Sequence, residues 1–131
     1  MPVLLWVLFI VAILPMLLAM LGGYCRYKQF GKFDNHYPRA QQAHMTGLGA
    51  RVLAAQHNAW ESLILFSAMS LLAYASGLNL ADFSYPAGLF LLSRLFHPLF
   101  YILDMDTYRS LVFLIGFFSA VYIGVKALLA F

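Results

Sequence analysis

Charge is what this chain has least of. Only 10% of its 131 residues are Asp, Glu, Lys or Arg, where a soluble domain carries roughly 25%, and five are acidic. That shortage excludes a molecule that is mostly water-facing surface. Cysteine is nearly absent as well. Cys25 stands alone, so no internal disulfide forms, and its place at the expected cytoplasmic end of the first helix reads as a reduced thiol. No Cys/His cluster has zinc-ligand spacing, no glycine-rich loop is placed to cradle phosphate, and no haem-attachment motif occurs. Metal and nucleotide chemistry therefore find no support. The N-terminal apolar run has no basic residues ahead of it and is longer than a signal-peptide core, so it reads as a retained helix.

Apolar side chains fill the space: 63% of residues are hydrophobic and 17% aromatic. Four runs, Val3 to Leu21, Leu48 to Ala75, Phe83 to Leu103 and Tyr108 to Phe131, approach or exceed the ~20 residues that cross a hydrocarbon core. The expectation is one domain, residues 1–131, forming an all-α integral membrane protein. It is a four-transmembrane-helix bundle in a lipid bilayer, with helices near 3–22, 47–75, 83–103 and 107–130. Any chemistry happens among the helices.

The net charge of +3 matters less than its placement. Arg26, Lys28, Lys32 and Arg39 fall in the first connection, opposed by Asp34 alone. Positive loops stay cytoplasmic, which puts segment 23–46 and the short connection at 104–106 inside and both termini outside. Four cations that set topology give no case for a nucleic-acid partner. Gly31, Asp34-Asn35 and Tyr37-Pro38 are turn signals within this connection, and Pro15 is placed to kink the first helix.

Polar residues inside the apolar runs need a reason, because an ionisable group at the bilayer centre costs roughly 2.5–3.5 kcal/mol on the most lenient scale. In the second helix Arg51, Asn58 and Glu61 fall within about 80° of one another at 100° per residue. Gln56 and His57 point elsewhere, toward another helix or a protomer boundary, and Trp60 reads as packing. The third helix carries Arg94, His97 and Tyr101 on one stripe. The two stripes are expected to meet, with Glu61 neutralising Arg51 or Arg94 and Asn58 taking up remaining donors. Pro98 frees a backbone carbonyl near His97. In the fourth helix Asp106-Thr107 suits an N-terminal cap, and Arg109 follows one turn in, where an arginine also snorkels to headgroups. Gly116, Ala120 and Gly124 predict close packing, within or between subunits. On the residues alone a structural ion-pair network and a ligand site both stay open. An ion path along the stripes is opposed by the excess of arginine over acid in the spans.

Two groups of residues resemble the membrane-associated proteins in eicosanoid and glutathione metabolism, the MAPEG family. The first is Arg51-Val52, Ala55-Gln56, Asn58 and Glu61, which is similar to the family signature. The second is Arg94, His97 and Tyr101 followed by Arg109-Ser110, similar to the prostaglandin synthase branch with one residue fewer in the connecting loop. The resemblance covers nearly the whole chain and implies a bacterial-type, multi-pass inner-membrane member assembled as a homotrimer. It implies a glutathione site between subunits, with glutathione as the thiol co-substrate and a small lipophilic molecule as the partner substrate. Arg109 is implied as the catalytic thiolate stabiliser with Ser110 beside it. Arg51, Asn58, Glu61, Arg94, His97, Tyr101 and Arg26 are implied to line or brace the tripeptide site. The implied activity is a glutathione-dependent transferase, or a peroxidase acting on lipid hydroperoxides. The alternative is a non-catalytic lipid-binding or partner-assisting protein of the same fold. Ala54 stands where glutathione-binding relatives often carry a second arginine, and Ser62 where leukotriene-type members place a tyrosine.

Overall fold

The computed structural model describes residues 1–130; Phe131, the last residue of the fourth apolar run, lies outside them. Every regular element among the described residues is helical. These are α1 (Val3–Phe30), α2 (Pro38–Ala43), α3 (Gly47–Ala75), α4 (Ser84–Ile102) and α5 (Asp106–Leu128), with a 3-10 turn at Leu80–Phe83 leading into α4.

α1 outlasts its apolar run. At 1.5 Å per residue, its 28 residues reach about 42 Å, beyond the ~30 Å of a hydrocarbon core. The stretch to Gly22 supplies a membrane-crossing length, and the last two turns carry Arg26 and Lys28 past it. The helix continues through Pro15, which is buried. It stops at Gly31, whose φ of 70° is left-handed and whose N–H returns to the Tyr27 carbonyl at 2.8 Å, a conformation glycine adopts without a side-chain clash.

The polar connection is tightly built. Asp34 Oδ1 accepts the N–H groups of His36 and Tyr37, both at 2.9 Å. Gln29 accepts the Thr46 N–H at 3.1 Å and donates to the His44 carbonyl at 3.2 Å. The turn signals here mark the entry to a short helix rather than an unbroken loop, since Pro38 opens α2, where its missing N–H costs nothing.

α1 packs on α3, α4 packs on α5, and α3 also lies against α5. The main core sits toward the end away from the basic connection. Leu4, Val7 and Val11 of α1 meet Phe66 of α3, Phe90 of α4 and Ile123 of α5, with Phe66 and Phe90 stacked 4.1 Å apart. The small-residue face of α5 turns inward within the protomer. A Cβ on Gly124 would overlap Met69 Sδ of α3, and one on Gly116 would overlap Ser93 Oγ of α4.

Trp6, Phe9, Ile13 and Leu17 on α1, and Leu111, Leu114, Phe118 and Tyr122 on α5, are exposed. Such continuous apolar stripes suit lipid and not water. Among the described residues, α1 and α5 are the helices long and apolar enough to cross a membrane; polar side chains interrupt α3 and α4. At the start of α5 the expected cap shifts by one residue. Met105 holds the cap position without a side-chain bond, and Asp106 lies in the first turn, where its charge still favours the helix dipole.

Candidate functional site

Arg94 is the centre of the polar interior. It is 3% exposed, and a buried guanidinium needs several acceptors because it has five N–H donors and always carries charge. It finds them without a carboxylate. Nη1 donates to Asn58 Oδ1 at 3.1 Å and to Ser62 Oγ of α3. Nε donates to Ser93 Oγ at 3.1 Å, and Nη2 to the Val112 carbonyl of α5 at 3.4 Å. The faces of the guanidinium lie 5.5 Å from the Phe90 ring centre and 5.7 Å from that of Phe113. One side chain thus ties three helices together. Gly116 makes this possible, since a Cβ there would stand 2.8 Å from Nη2 and 3.1 Å from Nε.

On the basic side of this clamp lies a cavity of about 330 Å³ lined by Asn58, His97, Tyr101, Arg109 and Ser110, with Phe113 and Leu114 closing it. His97 stands edge-on to Tyr101 at 5.4 Å, one turn beyond Arg94 on the same stripe. The Arg109 guanidinium lies 4.3 Å from the Tyr101 ring centre, a cation–π contact that aims it at the cavity. Among the described residues no carboxylate pairs with Arg109. Ser110 Oγ donates to the Asp106 carbonyl at 2.9 Å, so its proton is engaged inside α5. An adjoining cavity of about 200 Å³ shares Phe113 and is lined by Glu61, Ser62, Phe90 and Arg94.

The stripes on α3 and α4 do meet, but not through the expected ion pair. Glu61 is exposed and bonds to neither arginine. Arg51 instead pairs with Asp104 of the α4–α5 turn, Nη1 to Oδ2 at 3.7 Å. This contact brings the start of α3 and the α4–α5 turn to one end of the bundle. Arg51 and Arg26 line neither cavity. Arg26 donates to the Pro38 carbonyl at 3.4 Å and lies 5.0 Å from the Phe33 ring centre, and in each of these two arginines Nε is buried with no hydrogen-bond partner. Seven of the nine residues singled out in the sequence therefore surround two adjoining cavities, and Arg51 and Arg26 stand apart at the basic end.

A family model described as the MAPEG family matches residues 3–129 of the chain. The chain belongs to the MAPEG family. No curated protein and no solved structure matches it at a significant level. Membership in MAPEG, with two helices able to cross a membrane, makes this a membrane protein.

Three partners of Arg94 were missed in the sequence of this MAPEG chain: Ser62, Ser93 and Gly116. A signal existed for each. Ser62 lies one turn beyond Asn58, Ser93 adjoins the arginine, and a glycine opposite a buried guanidinium is the residue that leaves room for it.

Proposed function

We propose that the protein is a glutathione-dependent membrane transferase, acting on lipophilic electrophiles or hydroperoxides, in which Arg109 stabilises the reactive thiolate. The observation that carries this reading is an arginine without a carboxylate partner, held over Tyr101 at the wall of a 330 Å³ cavity. The donor set suits the tripeptide, which carries two carboxylates and one ammonium. Arg109 supplies a cation at the cavity wall, Glu61 is the single acid lining the adjoining cavity, and Arg26 and Arg51, which line neither cavity, add positive charge at the basic end. In this reading all four long helices cross the bilayer, the 23–46 connection is cytoplasmic, and three copies assemble so that neighbouring subunits complete the site.

Glutathione supplies the nucleophilic sulfur when bound. Arg109 holds that sulfur as the thiolate. A thiol of pKa about 8.5 is only a few per cent ionised at pH 7, and a guanidinium within roughly 4–6 Å lowers the pKa of a neighbouring acid by about 1 to 3. That raises the thiolate fraction roughly 8- to 30-fold. Phe113 and Leu114 close the Arg109 cavity, and Phe90, Phe113 and Phe117 of the adjoining cavity offer an apolar surface to a membrane-soluble substrate.

The test is conjugation of glutathione to a generic aromatic electrophile by detergent-purified protein, wild type beside Arg109→Ala. Turnover at pH 7 is expected to fall about 8- to 30-fold. The deficit should shrink toward pH 9, where the thiol ionises unaided. A deficit that persists unchanged at pH 9 would remove thiolate stabilisation from Arg109. Ala54 favours a second reading, since relatives that bind glutathione often carry an arginine there; no turnover in either protein would make lipid binding without catalysis the better account.

A further inference from the structure

The thiol site uses one side of α5, and a separate cavity opens on the other. Phe113 lines both cavities of that site, and Tyr122, nine residues on, lies about 180° away at 100° per residue. At the end of the bundle away from the basic connection, between the start of α4 and the second half of α5, Asp82, Tyr85, Leu89, Phe118, Ser119 and Tyr122 line a cavity of about 490 Å³. That volume falls within the roughly 300–1,000 Å³ of small-ligand sites. None of these residues belongs to the thiol site.

The lining is graded along the bundle axis. Asp82, Tyr85 and Tyr122 are exposed at the rim. Leu89 and Phe118 each stand one turn deeper, four residues from Tyr85 and from Tyr122, and present only carbon. Ser119 is buried and donates its hydroxyl proton to the Ile115 carbonyl at 2.7 Å, so that proton is spent within α5. Charge, then phenol, then hydrocarbon is the order met at a membrane interface. Lys126 extends the rim. It lies four residues beyond Tyr122 and within about 40° of the same side, with Nζ 5.3 Å from the centre of the ring of Phe83, the residue next to Asp82. The two charges do not neutralise each other, since the one ion pair among the described residues joins Arg51 to Asp104. An acid and a base held apart at the mouth of an apolar slot complement a headgroup that carries both signs. A carboxylate accepts hydrogen bonds from a primary ammonium, and a lysine binds a phosphodiester as a point charge. A purely anionic headgroup would satisfy Lys126 and be repelled by Asp82.

We propose that this α4–α5 cavity binds a zwitterionic phospholipid with a primary ammonium, phosphatidylethanolamine, its ammonium on Asp82, its phosphate on Lys126 and its acyl chains along Leu89 and Phe118. The site is independent of the thiol chemistry. Native mass spectrometry of the detergent-purified protein distinguishes bound dihexanoyl phosphatidylethanolamine, dihexanoyl phosphatidylglycerol and dihexanoyl glycerol by mass. The ethanolamine lipid should bind about tenfold more tightly than phosphatidylglycerol, the worth of one charge-assisted hydrogen bond. Asp82→Asn should erase that preference. Lys126→Gln should weaken both phospholipids about tenfold and leave dihexanoyl glycerol, which has no phosphate, unchanged. Glutathione conjugation should stay at the wild-type level in both variants, and failure of the thiol reading would leave the lipid binding untouched. No binding of the ethanolamine lipid, equal binding of the two phospholipids by the wild type, a preference that survives Asp82→Asn, or equally tight binding of dihexanoyl glycerol overturns the proposal. So does a fall in oligomeric mass of either variant in the same spectra, which would make the rim a contact between copies of the chain.

Discussion

Replacing Gly116 by alanine probes the centre of the fold with one methyl group. The added Cβ would stand 2.8 Å and 3.1 Å from two nitrogens of Arg94 and would overlap Ser93 Oγ. Neither neighbour yields easily. Ser93 Oγ is tied to the Phe90 carbonyl at 2.7 Å, and Arg94 is held by acceptors on α3, α4 and α5. Overpacking of a filled interior costs about 1–3 kcal/mol, and displacing even one charged hydrogen bond adds roughly 1.5–3 kcal/mol. Allowing for partial relaxation, we expect a loss of about 2–4 kcal/mol. For a chain of this size that lowers the unfolding midpoint by roughly 6–20 °C, measured by thermal denaturation in detergent. Gly88→Ala is the control, because a Cβ there meets nothing within 4 Å; it should hold or slightly raise the midpoint, as removing a helical glycine does. A double variant, Gly116→Ala with Arg94→Met, should lose less than the sum of its parts. A midpoint for Gly116→Ala within about 2 °C of wild type would refute the idea that this glycine exists to seat the guanidinium.

Other outcomes follow from the same geometry. Asp104→Asn should cost less than about 1 kcal/mol of stability, because the acid is 75% exposed and its contact with Arg51 is long at 3.7 Å; a larger loss in the same denaturation assay would show that the pair fixes the α4–α5 turn. Ser62→Ala should cost about 1–3 kcal/mol by leaving one Arg94 donor short of an acceptor, and Ser67→Ala, a substitution outside the clamp, should be near neutral when the two are unfolded side by side. If Glu61 takes the ammonium of the thiol tripeptide, an analogue lacking that amine should bind the wild type about tenfold more weakly and bind Glu61→Gln no worse than glutathione itself, as read by calorimetry. Equal affinities of the two thiols for the wild type would free Glu61 from that role.

Much of this arrangement was legible before any coordinates. Arginines at positions 51 and 94 in apolar runs had to be satisfied, and helical spacing placed Asn58, His97 and Tyr101 where they are found. What could not be read was which acceptor each arginine takes. Periodicity gives the direction of a side chain and not its depth, so Glu61 passed for a buried partner although it is exposed, while Asp104, in a three-residue turn, carried no periodic signal. Neutral hydroxyls were overlooked for the same reason. A guanidinium in a crowded interior is served by several small oxygens as well as by one acid, and Ser62 and Ser93 look like ordinary helix residues until α4 is laid against α3. α2 was hidden because its Tyr37-Pro38 start is equally a turn and a helix opening.

The glycine stripe of α5 has a consequence for Arg109. Gly116 lies seven residues after it, so by helical geometry the two sit within about 20° of one face. α5 behaves like a keyed shaft: the notch at Gly116 fits over Arg94 and the notch at Gly124 over Met69, and only one rotation satisfies both. The guanidinium is aimed from two turns away by residues that never touch it. An arginine moved one position back along α5, to 108, would swing by about 100°, out of the cavity and toward lipid, where Tyr108 is exposed. Transplanting the charge to position 108 in an Arg109→Ala background should therefore not restore what was lost, whereas position 113, back on the same face and one turn deeper, would bring it to the wall that the two cavities share.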